Sequence, residues 1–582
     1  MTDGYNNIAI PNPVQGYVDD IVICATQEQD LLGMCDKTDS FVTVTGMNIK
    51  HRKCAVLHGQ RCGNNWSKHD GTSGIQITIQ NQPIPKLGKS GKYTYLGHDI
   101  SLDGKASEAQ LSSIAIEFHN TLRKINECPL PVSAKIQAVN DMAISKLNFY
   151  FSNITFPAKT LANMEDNIVK YIREWFHLNK SSNRDIIFLP SSKGGLGVLS
   201  PSSMYFSKKL SFLLQALNSD DPQTKYSARS SFQLHMSKRK AVLHDANEGV
   251  PLFGGYGVDS GGRVIKRGKV NWPKSIWVEF NELCIREKLQ LEVHNDVYAI
   301  VAEHDSVSLV FRSHTALSKY LKQTHVTRRI NRLRNLYSQG RIFRVDCNVV
   351  LSCAYLSNCT LSDELIRFIF KSRMQLLECN SLLHKYYPNS YPKKCKICNN
   401  PFDTVSHIMN GCMEFRNYYT ARHDRIVSLI RDQIMKKHPN VDIYSNQIIT
   451  GDMFYTQTDF NCVHHRKPDL LICDRLVRKA FIVEISCPFD AFINTCYSAK
   501  FKNYQPLNEL ITLDTPYSCK TLVLVIGSLG SIHKRVTSGL KMLGFPNSRS
   551  KAIAKYLSIS ASIGSNNIWK KRAHKYGHVE CT

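Results

Sequence analysis

Three groups of residues in this sequence are of types and spacings that could do chemistry. Cys395 and Cys398 are separated by two residues, His407 follows after eight more, and Cys412 after a further four. Thiolates and an imidazole at turn-length spacings can close a tetrahedral zinc site. Four protein ligands leave no open position for water, so such a site is structural; the alternative is a set of buried free thiols. Further on, Asp469 lies in Arg466-Lys467-Pro468-Asp469-Leu470-Leu471-Ile472 and Glu484 in Ala480-Phe481-Ile482-Val483-Glu484-Ile485-Ser486, with a turn at Asp474-Arg475 between them. A hairpin of this length can bring the two carboxylates together on neighbouring strands, where they could hold a divalent ion against a phosphodiester while a nearby lysine activates water. Alone, either acid reads as a turn or edge residue. Near the start, Asp19 and Asp20 sit between the short apolar runs of Gly16-Tyr17-Val18-Asp19-Asp20-Ile21-Val22-Ile23. At a hairpin tip, two adjacent buried acids call for a cation such as magnesium, although a solvated turn also explains such a pair.

The elements that must position these groups are partly legible. The first hundred residues read as strand-rich, through VDDIVICA, FVTVTG and GIQITIQ. Then the apolar period changes: Leu111, Ile114, Phe118, Leu122 and Ile125, and later Leu161, Met164, Ile168, Ile172 and Trp175, recur at three- and four-residue steps and predict two amphipathic helices. A polar opening, NSDDPQTKYSARSS, marks a boundary near residue 216, and a mixed, mostly helical linker follows to about 390. Within it Arg328, Arg329, Arg332, Arg334, Arg341 and Arg344 alternate with apolar residues, as expected of a helix facing nucleic acid or of a solvated basic face. After Cys412 come Arg422-His423-Asp424, a basic helix, the two strands, and TLVLVIGSLGSIHKRVTSGLKMLGF, which reads as a buried strand, a glycine turn and a basic amphipathic helix. His464 and His465 are adjacent, point apart on a strand, and are expected at the surface or against DNA.

The 582 residues exceed what one core supports, so three or more folded units are expected. A formal charge of +26 points to a polyanionic partner, nucleic acid first. The start has no basic segment followed by an apolar run, and no stretch approaches the roughly 20 apolar residues of a membrane span. The odd count of 19 cysteines over a long chain fits reduced thiols in cytosol or nucleus.

Taken in order, these motifs resemble those of non-LTR (LINE-type) retrotransposon Pol polyproteins with a restriction-like endonuclease, of the site-specific, type-1 retrotransposable element class. YVDD is similar to the reverse-transcriptase palm signature, GMNIKHRKCAVLHG to the following lysine motif, and Tyr95-Leu96-Gly97 to the primer grip. Arg173, Trp175 and Gly194-Gly195-Leu196-Gly197 resemble landmarks at the end of the thumb. The Cys-Cys-His-Cys cluster, with Lys393, Lys394 and Lys396 able to touch phosphate, resembles the knuckle before the nuclease, and RHD matches a leading Arg-His motif. RKPDLLICD, FIVEIS and Lys500-Phe501-Lys502-Asn503-Tyr504 resemble the nuclease acids and displaced lysine.

The resemblance implies a multidomain α+β and α/β chain. Residues 1–102 would be a partial palm, 103–215 a helical thumb, 216–390 a basic linker, 391–420 the zinc knuckle and 421–582 a restriction-like α/β core. By the same resemblance Asp19 and Asp20 are palm metal acids, and Lys53 lies near an incoming triphosphate. Asp469, Glu484 and Lys500 are the nuclease residues, with Lys502 as the alternative lysine and Mg2+ or Mn2+ as the ion. Arg422, His423, Tyr504 and the arginines 328, 329, 332 and 334 would contact nucleic acid.

Two departures qualify the pattern. Ser486 occupies the place two after the second acid where many such nucleases carry their lysine, and Asn503 replaces the second lysine of the helix motif. Only 18 residues precede Asp19, and Asp3 is too near to supply the palm's separate acidic strand, so polymerase chemistry is expected to be incomplete. The implied protein nicks target DNA, possesses element RNA and target DNA as partners, acts in the nucleus after a cytoplasmic RNA-bound stage, and pairs as a homodimer on its target. A different reading is a decayed or repurposed zinc and nucleic-acid-binding protein without catalysis. A third is that the sequence is a piece of a longer polyprotein that does copy RNA.

Overall fold

In the computed structural model, which describes residues 14–17, 20–58, 61–62, 65–66, 76–87, 91–101, 106–242, 256–258, 264–266, 276–294, 296–304, 307–358 and 360–575, the chain is mixed helix and sheet. It forms two units, each discontinuous in sequence. One comprises Met1–Arg123, Ala143–Glu165 and Pro201–Lys322, the other Lys124–Met142, Asp166–Ser200 and Gln323–Thr582.

In the first unit, the stretch FVTVTG departs from the strand expected of it. Phe41 to Thr45 form the end of a helix, Glu28–Thr45. Val42 and Val44 share the parity of one strand face, yet Val42 is buried and Val44 is 87% exposed, as the 100° step of a helix requires. The hydroxyls of Thr38 and Thr45 bond back to the carbonyls of Met34 and Phe41, at 2.8 and 2.7 Å, which lets these residues stay helical. Gly46, at φ +68°, ends the helix with a left-handed cap. Its inner face, Cys35 and Val42, packs on Ile77, Ile79 and Ile84.

The expected amphipathic helices are Ala106–Glu127 and Ala158–Trp175, with Ile114, Phe118, Leu122, Ile125, Leu161, Met164, Ile168, Ile172 and Trp175 buried. Among the described residues the linker is mixed and mostly helical. Leu289–His294, Val297–His304 and Val307–Phe311 form an antiparallel meander. Tyr298, Ile300 and Ala302 are buried together with Ala299 and Val301, so this central strand has apolar side chains on both faces and no alternation to betray it. A fully buried lysine, Lys209, lies on the helix Pro201–Leu217 and bonds the Ser152 carbonyl at 3.2 Å, with Glu279 Oε2 3.5 Å away.

The second unit is built on a four-stranded sheet. In chain order it contains α1 (Arg416–Lys437), β1 (Asp442–Ser445), β2 (Leu470–Asp474), β3 (Lys479–Ser486), α2 (Ile493–Asn503), α3 (Gln505–Asp514), β4 (Ser518–Val525), α4 (Val536–Met542) and α5 (Asn547–Lys575). The strand order is β1-β2-β3-β4, antiparallel except for the β3–β4 pair. The period of two sorts each strand between two cores. Leu470, Ile472, Val483 and Ile485 pack with Ile426, Ile430 and Ile434 of α1 and with Leu557 and Ala561 of α5. Leu471, Cys473, Ala480 and Ile482 face the other way, onto Leu507 and Ile511 of α3 and Tyr504. Each such Leu or Ile, fully buried, stabilises by roughly 1.5–3 kcal/mol. Both faces being covered explains why β2 and β3 read as nearly continuous apolar runs.

Candidate functional site

Glu484 is the one charged residue in the buried stretch from Ala480 to Ser486. The β2–β3 register pairs Leu470 with Val483, and continuing it by one residue sets Asp469 opposite Glu484. Asp469 Oδ2 accepts the Ile485 amide at 2.7 Å, which fixes its carboxylate against the strand. Lys500 reaches from α2 so that Nζ lies 2.6 Å from Glu484 Oε1. Lys502, two positions on, is some 200° further round the helix and exposed. The Tyr504 hydroxyl donates to the Lys467 carbonyl at 3.1 Å and also meets Glu484. Ser486, where a lysine is absent, is buried against Cys496.

Burial, and then the charge of Asp469, push the Glu484 carboxyl above the ordinary carboxylate range, while Lys500 and Tyr504 pull it back. Burial lowers the Lys500 ammonium, but its bond to Glu484 and the negative charges of Glu484 and Asp469 together outweigh this and raise it. A carboxylate pair this desolvated requires positive charge nearby, and Lys500 supplies some of it.

The sequence reading missed His423 as a member of this cluster. Its Nε2–H donates to the Ile485 carbonyl at 3.1 Å and faces Asp469 Oδ1 at 3.4 Å, while Nδ1 meets Asp424 at 3.1 Å. The hydrogen bond to Asp469 leads in pushing its pKa up to about 9, against the cost of burial, so imidazolium prevails at neutral pH. The adjacent Arg422 departs from its expected place on nucleic acid. Its side chain is buried, donating to the Met409 carbonyl at 3.1 Å and Ser565 Oγ at 2.8 Å. One helical step separates the two side chains: α1 turns His423 toward the sheet end and Arg422 into the seam with α5. The signal available was RHD itself, whose outer polar residues gave no indication of facing.

Asp490, a conceivable further acid, is buried away from this cluster. It accepts the Leu529 and Ser531 amides at 2.6 and 2.9 Å and faces Arg373, so it clamps the loop after β4. His464 and His465 are exposed, the latter with its ring centroid 6.2 Å from that of Tyr504.

Next to α1, the ligand atoms of Cys395, Cys398, His407 and Cys412 all lie within 4.8 Å of one another, a cluster that could bind a metal such as zinc. Asn399, at φ +58°, turns the chain between the first ligand pair and the helix Val405–Asn410. Thr404 caps that helix by accepting the His407 amide, and Cys412 donates its amide to Tyr419 Oη at 3.0 Å. Cys395 and Cys412 are each 1% exposed. Burial pushes the Cys412 thiol up to about 12, so closely packed thiols are poorly disposed to ionise without a cation. Fully buried Asp403, between the second and third ligands, pairs with Arg572 near the end of α5.

The arginine-rich helix, His314–Arg334, places several of its cations on protein partners. Arg332 forks Asp185 with two bonds of 2.7 Å, Arg329 approaches the same carboxylate at 3.7 Å, and Arg334 donates to the Phe343 carbonyl. Arg344 binds the carbonyls of Arg334, Leu336 and Tyr337, and Arg341 lies over the Phe489 ring. Arg328 is half-buried on the same helix.

In the first unit, Asp19 falls outside the described residues, and Asp20 begins the strand that pairs with Val14–Tyr17. Leu96 and Gly97 form the two-residue turn of a hairpin whose first strand ends at Tyr95, with Leu96 at φ +47° and Gly97 at φ +77°. Tyr93, on its first strand, donates to the carbonyl of Lys53 at 2.8 Å, which joins the hairpin to the lysine motif.

No family profile matches the chain. Two curated proteins are similar to it. The Retrovirus-related Pol polyprotein from type-2 retrotransposable element R2DM of Drosophila melanogaster is 22% identical over 182 residues, 31% of this chain and 17% of that protein. The Retrovirus-related Pol polyprotein from type-1 retrotransposable element R2 of Popillia japonica is 22% identical over 209 residues, 36% of this chain and 42% of that protein. The matched region thus spans less than half the length of either relative. Among the described residues, no helix is long and apolar enough to cross a membrane.

Proposed function

We propose that this chain, a relative of the Pol polyproteins of non-LTR retrotransposable elements, is a metal-dependent DNA endonuclease joined to the C-terminal part of a reverse transcriptase. The observation that carries the reading is one point of convergence: Asp469 stands across the sheet from Glu484, and Lys500 Nζ is 2.6 Å from Glu484.

In this reading Asp469 and Glu484 hold Mg2+ or Mn2+, which when bound would polarise the scissile phosphate and lower the pKa of its water. Lys500 offsets charge growing on the phosphate oxygens and orients the attacking water. His423 holds the Asp469 carboxylate in place and adds a second positive charge at the phosphate. Tyr504 fixes Glu484 through its hydroxyl. The product is a nick with a free 3′ hydroxyl, the primer that target-primed reverse transcription needs. Cys395, Cys398, His407 and Cys412 hold a structural zinc, and the net charge of +26 supports DNA and element RNA as partners; the reading also places the protein in the nucleus with two copies on one target. Asp20, Lys53 and the Leu96-Gly97 turn belong to the reverse-transcriptase part.

Nicking of supercoiled plasmid by the purified chain with magnesium or manganese tests this. The expected result is nicking by the parent and none by Asp469→Asn or Glu484→Gln, with DNA binding kept. Nicking unchanged in both variants, or a zinc-loaded, DNA-binding parent that cuts nothing, would overturn it.

A further inference from the structure

We propose that the outer end of an aromatic stack on α2 binds the face of an unpaired DNA base beside the strand to be cut. The proposal rests on the nuclease reading of the neighbouring carboxylates. Cys496 and Lys500, four residues apart, form the stripe of α2 that faces Glu484. The next stripe, about 100° round, carries Tyr497 and Phe501.

Three rings lie nearly parallel there. Tyr497 stacks on His533 with centroids 4.3 Å apart and planes 15° apart, and Phe501 follows at 6.0 Å and 14°. The series runs from buried His533, through half-buried Tyr497, to Phe501, which is 43% exposed. Burial, reinforced by the charge of Arg535, lowers the His533 pKa, so the stack begins on a neutral imidazole. Phe501, parallel to rings anchored in the core and itself partly exposed, offers apolar ring surface, and a nucleobase is the planar group best suited to stack on it.

The charges around it are those a nucleic-acid strand would meet. The Arg535 guanidinium lies 5.8 Å from the Tyr497 ring centroid, Lys502 is exposed on the same helix, and Lys534, next to His533, pairs with Asp346. Lys500, one residue before Phe501, is the proposed phosphate-facing lysine. A base on Phe501 would therefore belong to a nucleotide within a step or two of the scissile phosphate. Duplex bases have both faces covered by their neighbours, so the platform selects a base that is unpaired or flipped out.

The test uses the full chain without added magnesium and a 2-aminopurine oligodeoxynucleotide, single-stranded or in duplex. Phe501→Ala is expected to abolish quenching of the probe and to weaken single-strand binding about five- to a hundredfold, the scale of one lost base–aromatic stack. Duplex affinity should stay within about twofold. Phe501→Trp, which enlarges the ring face, should keep or tighten single-strand binding, and Lys502→Ala should weaken both forms alike. Unchanged quenching in Phe501→Ala, or equal loss for single strand and duplex, overturns the platform. Because this readout needs no cleavage, a protein that stacks the base yet never nicks would remove the nuclease reading and leave the base-binding face standing.

Discussion

Lys500 Nζ meets Glu484 Oε1 at 2.6 Å, a lysine from helix α2 reaching a carboxylate buried in strand β3. The contact joins the strand acid to a helix lysine sixteen residues on, and it offsets the charge of a buried acid. Lys500→Ala is therefore expected to lower plasmid nicking about a hundredfold or more, the usual scale for loss of one transition-state donor. Lys502→Ala, which leaves the Glu484 contact intact, should retain nicking within about tenfold at low salt. Equal effects of the two substitutions in a single-turnover assay would show that Lys500 acts as one more surface cation.

The Cys395, Cys398, His407, Cys412 cluster should bind one zinc per chain, measured by elemental analysis after dialysis. Cys412→Ser is expected to lose that zinc and to destabilise the adjoining helix α1, whose Tyr419 hydroxyl accepts the Cys412 amide. Cys128→Ser, at an exposed cysteine remote from the ligands in sequence, should keep both zinc and stability. Full zinc retention in Cys412→Ser would show that the cluster is not the site.

Arg422 should behave as a structural residue. A Cβ on Gly564 would come within 2.6 Å of Arg422 Cγ, so Gly564→Ala should destabilise the second unit by roughly 1–3 kcal/mol through overpacking. Arg422→Ala should cost about 2–4 kcal/mol by removing its buried bonds to Met409 and Ser565. Both losses are read in denaturant melts. An Arg422→Ala variant with parental stability and weakened DNA binding would restore the surface role expected of it.

Lys209 gives the first unit a pH signature. Burial lowers its pKa from 10.5 to about 8. In the window between those values the unfolded chain binds the proton more tightly, so stability from this residue rises with pH, being lost as pH falls through 8 and full above 10.5. Burial raises Glu279 to about 7, so its contribution is full below 4.5 and gone above 7. Lys209→Met should thus lose the stabilising trend that the parent gains between pH 8 and 10.5, amounting to about 3 kcal/mol. Parallel stability curves for parent and variant across that window would remove the argument.

The sequence by itself determined whatever depends on local period and ligand spacing. Leu111 to Ile125 and Leu161 to Trp175 repeat at helical steps and are helices, and the cysteine and histidine spacings suffice to bring four ligand atoms together. The hairpin carrying Asp469 and Glu484 was legible because its strands are short and its turn is polar. FVTVTG was misleading because threonine hydroxyls can bond within a helix, and the residues before it supply the buried face.

Only the tertiary structure decided which charged side chains meet. It assigned Lys500 rather than Lys502 to Glu484, turned His423 toward Asp469 and its neighbour Arg422 into the α1–α5 seam, and gave Asp490 to a loop. Successive residues on a helix point about 100° apart, so their fate depends on the rotation of the helix against its sheet. That rotation is set by packing of the Ile426, Ile430 and Ile434 stripe against strands and a C-terminal helix more than a hundred residues away at its farthest, information that no window around RHD contains.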